Sequence, residues 1–266
     1  MHCGTEERGR PDPSRLVLGL GTIHHLMSPW SRARLLEEAI ARGIRAFDAA
    51  PAYGNGLAEV ELGKVTRGLR ASVEINTKVG IPIRIYPAWA RFGFPAFRAL
   101  DMVTAGHRQR YRRRDFRART IVESLDRSLL RLRTDYVDNL FLHEPLQPFV
   151  PAEVEEIDEC VAQLLRQGKI RAFGIAGPVR YWAGPAGVGP ASVIQCPMSD
   201  LQLPEVVAAA TGSPFILYGT HRAFAEAHAR IPGSYSTFLA ERMAALPRAR
   251  FIVGTNTVAN LKNLTD

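Results

Sequence analysis

Phe47-Asp48-Ala49-Ala50-Pro51-Ala52-Tyr53-Gly54 places a carboxylate and a phenol in the turn that follows a short apolar strand. Alone the pair means little. The next apolar run, however, closes on Asn76-Thr77-Lys78-Val79-Gly80, with an ammonium at its end, and a later one closes on Leu140-Phe141-Leu142-His143-Glu144-Pro145, with an imidazole. Acid, phenol, amine and imidazole thus all stand at strand ends. In a barrel of alternating strands and helices the carboxyl ends of the strands converge on one face, where side chains distant in sequence meet.

The rest of the chain supports that barrel. Its 266 residues, 46% of them hydrophobic, are enough for one large core, and 1–266 reads as a single domain. The 34 Lys and Arg against 26 Asp and Glu leave a net charge of +8, which favours anionic partners, although much of the excess sits in one local run. Cys3, Cys160 and Cys196 are odd in number, widely spaced and without metal-ligand spacing. They fit a reducing cytoplasm better than a disulfide framework. Met1 to Pro13 is polar, with no apolar core of signal-peptide length, and no later run is long enough to span a bilayer. A cytoplasmic protein without membrane contact is expected.

Leu16 to Thr22 reads as a buried strand, and Ser31 to Gly43 carries apolar residues at helical spacing before a terminating glycine. Ala46–Ala50, Val73–Val79, Val137–Leu142 and Ile170–Ala176 follow as strands, with helices over Leu57–Val65, Arg117–Arg133 and Ala152–Gln167 between or after them. The helix from Arg117 has the clearest stripe: Ile121, Val122, Leu125, Leu129 and Leu132 share a face. Val179–Pro190 holds too many Gly and Pro for a long helix, so the fifth crossover should be abbreviated. Val193–Pro197, Phe215–Gly219 and Arg250–Gly254 complete the strands, with helices over Pro204–Ala210 and Tyr235–Leu246. A last helix begins at Val258 and should be truncated near Asp266. Roughly eight alternations favour a closed (β/α)8 TIM barrel over an open sheet.

With the strands placed, the chain resembles the aldo-keto reductase superfamily from about Leu16 onward. The motifs are Gly19-Leu20-Gly21-Thr22, the Phe47 to Gly54 stretch, Thr77-Lys78-Val79-Gly80, Ser124 to Leu129, Leu142-His143-Glu144-Pro145, Gly168 to Ile175 and Ile252-Val253-Gly254-Thr255. Asp115 to Ile121, entering the long helix, is most similar to the aldose and sugar dehydrogenase branch. The resemblance implies a barrel that binds NADPH or NADH and moves a hydride between nicotinamide and a small aldehyde, ketone, sugar or lactol. It makes Tyr53 the proton donor, Lys78 its neighbour, Asp48 the anchor of that lysine, and His143 the group that orients the substrate carbonyl.

These residue types make sense chemically without the family. A phenol of pKa about 10 is a poor acid at neutral pH, a nearby ammonium should lower that pKa, and Asp48 can keep the ammonium charged. As hydride reaches a carbonyl carbon, charge develops on oxygen, which Tyr53 and His143 can stabilise and protonate.

For the cofactor, the resemblance points to Gln195 for the carboxamide, Tyr218 for stacking, and Thr255 and Asn256 for the adenosine phosphate, with Thr22 and Asn263 beside them. Two departures stand out. Where the family often has Ser-Asn after the fifth strand, this chain reads Ala176-Gly177, and the often basic positions of the phosphate loop are Gly254 and Asn260. A 2′-phosphate would lose charge-assisted hydrogen bonds there, so NADH is as open as NADPH.

The segment 81–116 is long for a connection inside a domain, and such loops are usually functional or disordered. It holds Trp89 among other aromatics, then Arg108-Gln109-Arg110-Tyr111-Arg112-Arg113-Arg114. It is either a substrate lid, with Trp89 on the pocket and arginines drawing an acidic or phosphorylated substrate, or a solvated charge run. No nucleic-acid module accompanies the arginines, so no nucleic-acid partner is expected. His24, His25, His107, His221 and His228 lack ligand spacing, and no metal is expected. The main alternative to an enzyme is a non-catalytic nicotinamide-nucleotide-binding regulator with the same barrel, as in potassium-channel β-subunits. The abbreviated fifth crossover, the weak phosphate site and the short C-terminus favour it; the intact tetrad disfavours it. The oligomeric state is open.

Overall fold

A computed structural model describes residues 10–83, 113–181, 192–203, 215–228 and 233–265. Eight parallel strands close in chain order: β1 (Leu16–Gly19), β2 (Ala46–Asp48), β3 (Glu74–Val79), β4 (Val137–His143), β5 (Ile170–Ala176), β6 (Val193–Pro197), β7 (Phe215–Tyr218) and β8 (Ala249–Gly254). The seam is the pairing of β1 with β8, which sets Leu16 opposite Phe251 and Gly19 opposite Gly254. Outside the barrel, the described residues form α1 (Pro29–Ala41), α2 (Leu57–Thr66), α3 (Ala118–Leu132), α4 (Pro151–Arg166), α5 (Thr220–Ala227), α6 (Tyr235–Ala245) and α7 (Val258–Thr265).

The period-two alternation of a strand divides each one between two cores. On β4, Leu140 and Leu142 join the large cluster between sheet and helices, while Phe141 joins a small interior cluster with Val17, Ala46, Ala176, Val193 and Ile216. Gly174 makes room for that interior: a Cβ there would lie 1.9 Å from the Val193 carbonyl oxygen and 3.0 Å from the Phe141 ring. The stripe read on the Arg117 helix is the buried face of α3, with Ile121, Leu125, Leu129 and Leu132 inward. α2 packs closely on α3 because Gly63 has no side chain; a Cβ there would be 2.5 Å from the Leu132 backbone. Beside that contact Glu59, fully buried, takes Thr77 Oγ1 and Arg131 Nε at 2.6 Å each, so its charge is paired.

Several boundaries differ from the expected ones. β1 ends at Gly19 rather than Thr22, and β2 at Asp48 rather than Ala50, because each strand gives way to turn as it reaches the open mouth of the barrel. α1 starts earlier, at Pro29, a residue suited to a first helical position. α5 was not expected: its eight residues carry only a short apolar pattern, and it starts behind Gly219 at φ +73°. Of the abbreviated fifth crossover only a 3-10 turn, Val179–Tyr181, is described. The helix expected over Pro204–Ala210 and the loop residues 84–112, Trp89 among them, lie outside the described residues. No helix among the described residues is long and apolar enough to cross a membrane.

Candidate active site

Asp48, the last residue of β2, is 2% exposed, and its carboxylate is shared by three donors. Lys78 Nζ, from the end of β3, donates to Oδ2 at 2.5 Å; Gln195 Nε2, from β6, donates to Oδ1 at 2.7 Å; the Tyr53 hydroxyl stands 3.4 Å from Oδ2. Lys78 Nζ also reaches the Tyr53 oxygen at 3.1 Å and the Ala49 carbonyl at 3.2 Å. His143, the last residue of β4, meets the Tyr53 ring edge-on with centroids 5.8 Å apart. Asp48 therefore does not cap the following helix, whose first turn begins behind Gly56. The four side chains share one cavity of about 400 Å³ at the carboxyl ends of the strands, with Gln195 and Tyr218 also on its wall.

The electrostatics depart from expectation at Tyr53. Burial, followed by the Asp48 carboxylate, pushes the phenol well above its ordinary pKa. The Lys78 ammonium, bound to Asp48 at 2.5 Å, does not outweigh burial and the carboxylate at the phenol. Burial also pulls the Lys78 ammonium down, with Asp48 opposing. Burial, then Lys78 and Arg114, hold the His143 imidazole well below its usual range, so the ring is neutral at pH 7. Phenol and imidazole both keep the neutral, donating form.

Gln195 shows what else the cavity accepts. A carboxylate only accepts, so Asp48 fixes the amide with its NH2 inward. The buried Gln195 Oε1 is left without a partner, a ready acceptor for a carboxamide or similar donor. Gly254 borders this cavity and also a second of about 360 Å³, which carries Thr255, Asn260, Asn263, Ser234 and His221. The two hollows share a boundary residue, as an elongated ligand such as a dinucleotide requires. No Lys or Arg among the described residues lines the second one.

Most of the expected site residues thus fall on two cavities. Asp48, Tyr53, Lys78, His143, Gln195, Tyr218 and Thr22 line the catalytic cavity; Thr255, Asn260 and Asn263 line the second, and Gly254 lines both. Asn256 lines neither and is hydrogen-bonded to Thr22, 2.8 Å away. Trp89 is outside the described residues. Residues not singled out from sequence also lie on the walls. Glu144 lines the catalytic cavity at φ +50°; its position next to the strand-end histidine was the available signal. His221 stacks on Tyr235 at 4.0 Å and donates from Nε2 to the Gly254 carbonyl at 3.1 Å, a contact hidden by the unrecognised α5. Arg114, the last of the basic run, is 9% exposed and bound to Glu144, so it is not a solvated charge.

Known proteins resemble this chain in fold and sequence. An aldo-keto reductase from Bacillus halodurans, solved in its holo form, superposes with a TM-score of 0.69 at 17% identity, over 94% of this chain and 85% of that one. An aldo/keto reductase from Klebsiella pneumoniae, solved with NADP and acetate, gives 0.65 at 18% identity, over 94% and 84%. The 6-dehydroglucose reductase of Agrobacterium fabrum is 34% identical over 174 residues, 64% of this chain and 51% of that protein. The chain spans about half the length of the curated relatives it matches. A sequence model described as the aldo/keto reductase family matches residues 15–202, well over half of the chain and all four strand-end groups. The chain belongs to the aldo/keto reductase family.

Proposed function

We propose that this chain is a nicotinamide-dependent oxidoreductase that interconverts a small carbonyl compound, an aldehyde, ketone, sugar or lactol, and its alcohol. The observation that carries this is the arrangement of Lys78 between Asp48 and Tyr53, at 2.5 and 3.1 Å, on a cavity wall shared with His143. Gln195, with its unpartnered acceptor, and Tyr218 would hold the nicotinamide end, and Thr255, Asn260 and Asn263 the adenosine end. Bound there, the cofactor would supply the hydride, whose electron pair reduces the carbonyl carbon.

The protein's residues handle the oxygen. His143, neutral, donates a hydrogen bond to the carbonyl oxygen and fixes its direction. Tyr53 adds a second donor and gives up its phenolic proton as charge builds on that oxygen. An alkoxide is more basic than a phenolate, so the transfer runs downhill even from a phenol whose pKa is raised. Lys78 faces the resulting phenolate, and Asp48 holds Lys78 in place; in alcohol oxidation the proton returns to Tyr53. The lack of Lys and Arg among the described residues of the second cavity supports use of NADH at least as readily as NADPH. The free thiols of Cys160 and Cys196 suit a reducing compartment such as the cytoplasm.

Nicotinamide absorbance with a panel of aldehydes and sugars tests the reading on wild type and Tyr53→Phe. The variant should lose about 100-fold or more in kcat while binding cofactor as wild type does. Turnover that survives the loss of the hydroxyl removes Tyr53 from this role. Cofactor binding without turnover of any carbonyl in the wild type supports the non-catalytic regulator instead.

A further inference from the structure

Among the described residues that line the catalytic cavity, Glu144 is the charged one that the mechanism leaves unused. Its side chain is 47% exposed and shares the cavity wall with Tyr53, Lys78 and His143. Its backbone is held in the left-handed region, φ +50°, where a non-glycine residue rarely sits without outside support. That support is visible. The Glu144 N–H donates to the Ala176 carbonyl at 2.6 Å, and Arg114 Nε donates to the Glu144 carbonyl at 2.8 Å. Gly177 lets the chains approach, since a Cβ there would come within 3.1 Å of Glu144 Cα.

Arg114 NH2 also reaches Glu144 Oε2, at 3.1 Å. The guanidinium borders a neighbouring cavity with Arg113 and Phe116 and does not line the catalytic one, whereas Glu144 does. Of this ion pair, Glu144 lines the catalytic cavity and Arg114 the neighbouring one. Within the catalytic cavity Lys78 is already committed to Asp48. Exposed Arg180 acts on Tyr218, whose phenol is raised by burial and then by Glu144. An ionised carboxylate offers about four acceptor sites and no donor. With Arg114 on Oε2, acceptor capacity remains for hydroxyl groups.

We propose that Glu144 is a specificity-determining residue: its carboxylate accepts hydrogen bonds from a neutral, hydroxylated carbonyl substrate and repels carbonyl compounds that carry a carboxylate or phosphate. The proposal rests on the oxidoreductase reading of the same cavity. It runs against the expectation that the arginine run draws acidic substrates only at Arg114, which lines the neighbouring cavity with Arg113 and is paired with Glu144; residues 108–112 of the run lie outside the described residues.

Calorimetric titration with D-glyceraldehyde, a neutral hydroxyaldehyde, and glyoxylate, an acidic one, tests this on the protein saturated with oxidised cofactor, so that no aldehyde is reduced. Wild type should favour glyceraldehyde. Glu144→Gln should bind glyceraldehyde about tenfold more weakly and glyoxylate about tenfold more tightly, as expected for loss of a charged hydrogen-bond acceptor. Glu144→Asp, which keeps the charge, should still disfavour glyoxylate. In turnover with reduced cofactor the Gln effect should fall on KM rather than kcat. A wild type that prefers glyoxylate or binds neither aldehyde overturns the proposal, as does a Gln variant with an unchanged affinity ratio. A wild type that binds as stated but never turns over overturns the oxidoreductase reading and leaves the charge selection standing.

Discussion

Tyr53 and His143 are both neutral donors at pH 7, and for the same reason: each is buried where its charged form loses more hydration than its neighbours restore. The consequences differ in sign. For Tyr53 the charged form is the deprotonated one, so the phenol keeps its proton beyond the ordinary value of about 10. In the reduction direction kcat should show no alkaline limb between about pH 7 and 9 from this group; a limb there that Tyr53→Phe abolishes would contradict the assignment. For His143 the charged form is the protonated one, and the native pKa lies below that of the unfolded chain. Its contribution to stability is present above about pH 6.5 and is lost as pH falls toward the native pKa, by up to about 1.4 kcal/mol per pH unit. Denaturant melts of wild type and His143→Gln between pH 7.5 and 5 should show a shallower decline in the variant. At this scale the sequence was most informative about residue types and least about their titration. Asp48, Lys78 and His143 were legible because each stands at a strand end, and Tyr53 because it lies in the turn just after one. The direction of the Tyr53 shift was not, since it depends on how strongly Lys78 is already bound to Asp48.

Among the elements, α2 and α3 show what a single missing side chain does. Gly63→Ala would put a methyl group 2.5 Å from the Leu132 backbone, and the two helices would have to separate. Overpacking of this kind should cost about 1–3 kcal/mol. Gly68, just past α2 and with nothing within 4 Å of its would-be Cβ, is the control: Gly68→Ala should stay within about 0.5 kcal/mol of wild type. Equal effects of the two in urea melts would contradict the close packing. α3 was readable because its apolar stripe runs for four turns, whereas α5 was not: eight residues behind a glycine present too little periodicity to separate from a loop. That omission concealed His221, and with it the contact that holds the Gly254 carbonyl between the two hollows.

For the molecule as a whole, closure is the decisive event, because it makes neighbours of strands more than two hundred residues apart in sequence. Arg15 secures the seam. From the residue before β1 it donates to the Ala249 carbonyl at 2.6 and 3.1 Å, to the Met243 carbonyl at 2.8 Å and to the Leu246 carbonyl, binding the end of α6 to the start of β8. Arg15→Met should cost about 2 kcal/mol, the scale of charged hydrogen bonds lost, and should lower the melting temperature with cofactor affinity little changed. A variant as stable as wild type would remove Arg15 from this role. The barrel itself was legible in the alternation of strands and helices; the seam clamp was not, because nothing in the sequence near Arg15 points to carbonyls so far along the chain.

The small interior cluster has one further effect. Phe141 stands two residues before His143 on the same strand and opposite Lys78 in register, with Gly174 hollowed to receive its ring. The aromatic disc is a pedestal one layer below the reacting groups, on the strand that carries the imidazole and beside the strand that carries the amine. Shaving that pedestal would loosen the core and tilt the amine and the imidazole together, so damage there would register in turnover and in a thermal scan alike.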